Sequence, residues 1–300
     1  FPMSRFPDFR APERQVPGTP APGTPVPRTP DLQVPGPGSS LPALSKPLPP
    51  VTPSAPSPLP GSLDQLIGVG LVLAVWPIVV VHACYGLSVI EGHVVLCNPY
   101  WDGCSSISRA GRHGWAFFLF KAGMLPYAAA LAAFWWLNQN WLHALGDPGS
   151  RGMVQAGLVG ALFLVIYATF LGSEGGFYQW LRRSGIHVYF SMTFLAQALL
   201  ILRLRALTRL ATAPVAGGAR PIGATWSPGL VTAMTAVAWL IVVLGLAFAV
   251  LGRWLAIERD RLENAIEWLA ALLMQVNLLL TVVAWRSSRL TIRIEARGRR

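Results

Sequence analysis

Five ionisable side chains fall inside or at the edges of apolar stretches: His82, Lys121, Glu174, His187 and Glu267. Carboxylates and imidazoles are the usual carriers of acid–base chemistry. At membrane depth such groups are costly and usually face a bundle interior or a wet cavity. Glu174, Glu267 and His187 are therefore the candidate catalytic groups, and His82 and Lys121 candidate binding groups. A second concentration of polar chemistry is the run C-N-P-Y-W-D-G-C-S-S-I-S-R-A-G-R-H at 97–113. Its Asp102, Ser105, Ser106, Ser108, Arg109, Arg112 and His113 are groups that bind phosphate or sugar. A guanidinium offers a planar fork to phosphate oxygens. Each reading has a plainer counterpart. Lys121 could pair with Glu174 or Glu267 as a buried structural bridge, and the polar run could be a turn-rich cap over a bundle mouth. Ser106 and Ser108 have His113 nearby but no orienting carboxylate in sequence, so no nucleophile stands out.

The elements that must position these groups are membrane helices. The 300 residues are 53% hydrophobic and only 12% charged, about half the charged fraction of soluble domains. Six apolar stretches near 65–89, 115–138, 152–172, 186–204, 229–252 and 265–285 each approach the roughly 20 residues that cross a bilayer. They contain no Asp, Glu, Lys or Arg except Lys121, Arg203 and Glu267. Trp115, Trp135, Trp136, Trp141, Trp254, Trp268 and Trp285 collect at span ends, where tryptophan favours the interface. The expected fold is an all-α membrane protein, a six-transmembrane-helix bundle over 63–290. Gln197, Gln275 and Asn277 would lie nearer mid-bilayer.

Of the 26 prolines, 19 lie in the first 60 residues. Such a segment cannot bury enough surface to offset its ordering entropy, so 1–62 is expected to be a disordered Pro-rich tail. A proline-motif-binding protein could dock on residues 1–60. The net charge of +11 sits in short runs flanking the spans, which fits cytoplasmic anchoring and not nucleic-acid binding. Arg151, Arg203, Arg205, Arg209, Arg220 and the run from Arg286 to Arg300 share one side. Both termini, including a basic tail at 291–300, are thus expected in the cytoplasm. The first, third and fifth loops face outward or into a lumen, and helix three closes there on Glu174 and Tyr178. His187 opens the fourth span and Glu267 the sixth at that same face.

Several chemistries find no support. There is no G-x-S-x-G elbow, H-E-x-x-H or phosphate-binding loop, and the spacing of His82, Glu91 and His93 favours no metal. No cofactor is expected. Three cysteines are too few for a disulfide framework, but Cys97 and Cys104 bracket a turn and could pair on an oxidising face.

Loop and neighbouring spans together resemble the DRAM/FRAG/Sfk family of six-span proteins, in particular its post-GPI-attachment lipid-remodelling branch (the CWH-type N-terminal domain). The likeness rests on Ser106-Ile107-Ser108 after a Cys/Pro-containing loop and on the following F-F-L-F-K-A-G-M-L-P-Y…F-W-W-L-N helix. Ser173-Glu174, His187 with Gln197, and Glu267-Trp268 before Asn277 follow in order. It covers about residues 65–290. The family's Pro before the Ser-x-Ser element is Ser105 here, and this loop is richer in arginine. The resemblance implies handling or remodelling of an anionic lipid or glycolipid at the non-cytoplasmic face, with Ser106, Ser108, Glu174 and Glu267 as the positions carried over. The competing expectation is a non-catalytic scaffold or lipid-binding regulator.

Overall fold

The computed structural model describes residues 62–147, 150–212, 227–254 and 259–288, all within the unit Pro58–Arg300. Apart from Ser62, the tails expected at 1–62 and 291–300 lie outside these residues. Among the described residues all regular structure is helical: α1 (Ser62–Ile90), α2 (Ile107–Ala110), α3 (Gly114–Ala144), α4 (Arg151–Phe170), α5 (Gly176–Thr212), α6 (Pro228–Trp254) and α7 (Arg259–Ser287). All but α2 are long and apolar enough to cross a membrane. The chain is an all-helical, multi-pass integral membrane protein.

Helix is the form such sequence must take, because hydrocarbon offers no partner to a backbone amide and a helix pairs its own. Spanning helices also tolerate Pro77 in α1 and Pro126 in α3, where neighbouring helices exclude alternatives. The helices pack in the ring order α1, α3, α4, α5, α6, α7 and back to α1. Successive spans alternate in direction. One end of the bundle therefore gathers the last turns of α1 and α4, the first turns of α3, α5 and α7, and the long connection carrying α2. That end is called the loop end below.

Lipid tails are as apolar as leucine, so close backbone approach and interhelical hydrogen bonds must hold the ring together. Small residues supply the first. A Cβ at Gly123 of α3 would lie 2.7 Å from Val80 of α1, and one at Gly160 of α4 would lie 2.8 Å from Thr193 Oγ1 of α5. Polar side-chain groups supply the second. The Trp76 indole donates to Gly123 O (3.0 Å), Gln197 Nε2 to Met274 O (2.9 Å) and the Trp285 indole to Asn138 Oδ1 (3.1 Å).

Two expectations need correction. Trp135, Trp141, Trp268 and Trp285 are buried and do not form an interfacial belt. Three of their four indole N–H groups have partners on other segments: Trp141 on Ser288 Oγ just past α7, Trp268 on Ser105 O of the loop and Trp285 on Asn138 Oδ1 of α3. Trp115, Trp101 and Trp180 do stand exposed at the loop end. The fourth span begins at Gly176, ten residues before the apolar run, because G-F-Y-Q-W-L-R-R-S-G mixes aromatic and basic residues that suit an interfacial helix start. His187 consequently lies about three turns inside α5, and Glu267 about two turns inside α7.

The Gly160 contact generates a direct test. Gly160→Leu overfills the α4–α5 seam, and overpacking of this kind costs roughly 1–3 kcal/mol. The detergent-solubilised variant should melt several degrees below the parent. An unchanged melting point would mean that the two helices do not meet at this glycine.

Candidate functional site

The site begins with a loop pinned to a helix. Cys97 and Cys104 are joined by a disulfide with Cα atoms 6.5 Å apart, which closes the turn containing Asp102 and Gly103. Tyr85 anchors one side: its hydroxyl accepts from the Cys97 N–H and reaches Cys97 O, both at 2.8 Å. Ser88 Oγ donates to Ala110 O at 2.7 Å on the other side. From α7, Asn264 Nδ2 donates to Gly103 O and the Trp268 indole to Ser105 O, each at 2.8 Å. Gly103 has φ +56° and its Cα abuts the Arg261 carbonyl, so a side chain there would strike backbone. Glycine is what permits that approach. Ser106 caps α2 by accepting the Arg109 N–H at 3.1 Å, and its hydroxyl meets that of Ser108 at 3.1 Å.

This clamp brings the loop over Glu267. The Glu267 carboxylate accepts from the backbone N–H groups of Ile107 and Ser108 and lies near Glu263. Glu267 also lines a slot among α1, α3, α4, α5 and α7, whose walls are mostly apolar: Val81, Phe120, Met124, Leu164, Phe190 and Leu272. The slot gives water-sized molecules about 50 Å³ for their centres, several times the roughly 10–15 Å³ that one water needs. Tyr167 stands at its polar end, directed toward Ser108 and in the field of Glu267, Arg112 and Arg182. The Tyr167 residue is 1% exposed, and its hydroxyl has no partner beyond the Ser108 side chain it faces. A buried hydroxyl so thinly satisfied in a native site calls for an explanation such as a ligand or ordered water.

Of the residues expected from sequence, the structure brings Ser106, Ser108, Arg112 and Glu267 into this region. His82 also lines the slot. Its Nδ1 meets Ile78 O at 2.7 Å, which requires the proton there, so Nε2 accepts from the Tyr100 hydroxyl at 3.0 Å. The expectation that all the intramembrane ionisable groups converge is overturned for three of them. Lys121 lies 4.1 Å over the Phe117 ring and does not line the slot. Glu174 is exposed in the connection after α4, and His187 is exposed on α5 with Nδ1 on Arg183 O of its own helix (2.6 Å). The early start of α5 explains both. It turns the segment after α4 into a tight link, and it places His187 on the outward face. No Lys121 bridge to Glu174 or Glu267 occurs among the described residues. Arg109 is exposed at the rim.

Sequence reading misses Tyr167, Tyr189, which also lines the slot, and Arg182. The tyrosines read as ordinary span residues, and no period-3.6 argument singles out one aromatic in an apolar helix. Arg182 falls before the apolar run of the fourth span, where hydropathy marks only a loop.

Beside the loop lies an open bowl lined by Glu91, Arg112, His113, Trp115, Phe117 and Phe118. Glu91 caps α3 from outside by accepting the Trp115 N–H at 3.0 Å, a favourable place for negative charge, and meets His93 Nε2 at 3.5 Å. Burial first, then the neighbouring guanidiniums of Arg182 and Arg109, hold Arg112 below the usual arginine range, with Tyr167 acting the other way. Burial also pushes the Tyr100 hydroxyl up. Burial, then His93 and Arg112, hold His113 below its ordinary 6.5.

Two tests follow from this geometry. Trp268→Phe leaves the Ser105 carbonyl without its donor, at a cost of roughly 1–3 kcal/mol; limited proteolysis should then cut the 97–113 loop faster, and an unchanged rate would mean the clamp is dispensable. Between the folded His113 value and 6.5 the unfolded chain holds more protons, so stability rises with pH there and falls on acidification. Thermal melts from pH 7 to 5 should therefore drop less for His113→Asn than for the parent, whereas parallel profiles would contradict the depressed imidazole. Compared with family models, curated proteins and solved structures, the chain matches none of them.

Proposed function

We propose that this integral membrane protein binds and remodels an anionic lipid or glycolipid at the non-cytoplasmic face of its membrane. The observation that carries the reading is the apolar slot ending on Glu267, Ser108 and Tyr167 beneath a disulfide-closed loop. An amphiphile needs that combination: apolar walls for a chain and a few placed polar groups for the head. The Lys/Arg bias puts the loop end on the non-cytoplasmic side, where a disulfide persists. The resemblance to the GPI-anchor-remodelling branch of the DRAM/FRAG/Sfk proteins supports the same substrate class, with Ser106, Ser108 and Glu267 in its polar cluster and Glu174 outside it.

In a catalytic form of this reading, Glu267 moves a proton on the lipid head while the Ile107 and Ser108 amides fix its orientation. Tyr167 is placed to donate to a developing oxyanion. A second reading, a non-catalytic lipid-binding regulator, is favoured by one observation: His187 and Glu174 stand apart, so Glu267 has neither of the two other expected catalytic groups beside it.

Deletion of the gene followed by lipid mass spectrometry tests the proposal, with complementation by variants. The parent and Glu174→Gln should restore the lipid profile. Glu267→Gln should lower conversion by roughly 10²-fold, the usual scale of a lost acid–base group, in a protein that accumulates and melts normally. A parallel fall in stability and function would favour the regulator. An unchanged lipid profile on deletion would contradict lipid remodelling.

A further inference from the structure

Three guanidiniums gather beside the loop, where Arg112 lines the open bowl and not the slot. Arg112, Arg109 and Arg182 are close enough for the last two to repel a proton from the first, although they come from the linker before α3, the end of α2 and the second turn of α5. Among the described residues no carboxylate pairs with any of them. Arg182 Nη1 is tethered to Ser173 O at 3.3 Å. The Nε of Arg112 is buried and has no partner, and the buried Tyr167 hydroxyl, with only Ser108 beside it, faces the same pair. Glu91 shares the bowl with Arg112, but its Oε1 is committed to the Trp115 N–H.

Mutual repulsion and an orphaned buried donor are unfavourable, and a single multivalent anion relieves both. A carboxylate has only two oxygens to share among these donors. A tetrahedral phosphate presents enough acceptor oxygens for two guanidiniums and a hydroxyl at once, and these charge-assisted bonds are the strong ones. We propose that Arg112 and Arg182, with Arg109 at the rim and the Tyr167 hydroxyl from below, form a binding site for a phosphate group. The site rests on the lipid reading above for its source, a phosphorylated headgroup whose chain occupies the slot. Tyr167 belongs to both, lining the slot and facing the arginines, so it sets the distance between chain and phosphate.

The test uses the full chain purified in an uncharged detergent, with three probes: phosphatidic acid, diacylglycerol of the same chains, and inorganic phosphate at matched ionic strength. Native mass spectrometry should show phosphatidic acid retained at least tenfold more tightly than diacylglycerol. Arg112→Gln and Arg182→Gln should each reduce its retention about tenfold, the effect of one lost charge-assisted bond, and leave diacylglycerol retention unchanged. Arg205→Gln, remote from the loop end, should change neither. Should a Gln variant not fold, Arg182→Lys reads the same site, because it keeps the charge and loses the fork; a threefold or greater loss is expected, and full retention overturns the proposal. Equal retention of phosphatidic acid and diacylglycerol also overturns it while leaving a lipid-binding slot intact. A melting point raised by inorganic phosphate with neither lipid retained keeps the phosphate site and removes the lipid reading.

Discussion

The indole of Trp268 and the amide of Asn264 hold the backbone of residues 103–105 against α7, and the site depends on that clamp. Without it, the Ile107 and Ser108 amides would not meet Glu267, and the carboxylate would face hydrocarbon with no compensating donor. A charged or polar group at that depth is tolerable only where something inside the protein pairs with it. The disulfide, the Tyr85 and Ser88 bonds and the glycine at 103 all serve the same end from the other side of the loop. The loop is thus part of the bundle's packing, although its residues alone read as a polar connection.

The rest of the bundle is built to make such a site affordable. Close glycine contacts at 123 and 160 let α1, α3, α4 and α5 approach, and paired side chains such as Gln197 and Asn138 tie α5 and α3 to α7. The slot lies where aromatic and carboxylate side chains meet, and its apolar walls and the Glu267 and Tyr167 side chains belong to the same five helices.

Much of the architecture was legible in the sequence. Runs lacking Asp, Glu, Lys and Arg mark the six spans because hydrocarbon excludes those groups, and the structure has six helices fit to cross a membrane. Hydropathy reads less well where a helix leaves the hydrocarbon. It missed the first ten residues of α5, since interfacial aromatic and basic residues give no apolar signal, and with them the true settings of His187 and Glu174. The site was half legible. Glu267, Ser106, Ser108 and Arg112 could be picked by chemical type. Tyr167 and Arg182 could not, because their importance lies in which neighbours the fold gives them. Trp135 and Trp268 show the same limit from the other direction: position along the chain suggested an interface, and packing placed them inside.

Under the proposed function a lipid chain fills the slot under the loop and its head reaches Ser108, Tyr167 and Glu267. An experimental density map of the protein in lipid nanodiscs tests this. Elongated density should run from the level of Gln275 to the Glu267 carboxylate and end in a headgroup beneath the loop. A slot filled by its own side chains, or occupied only by isolated waters, would contradict it.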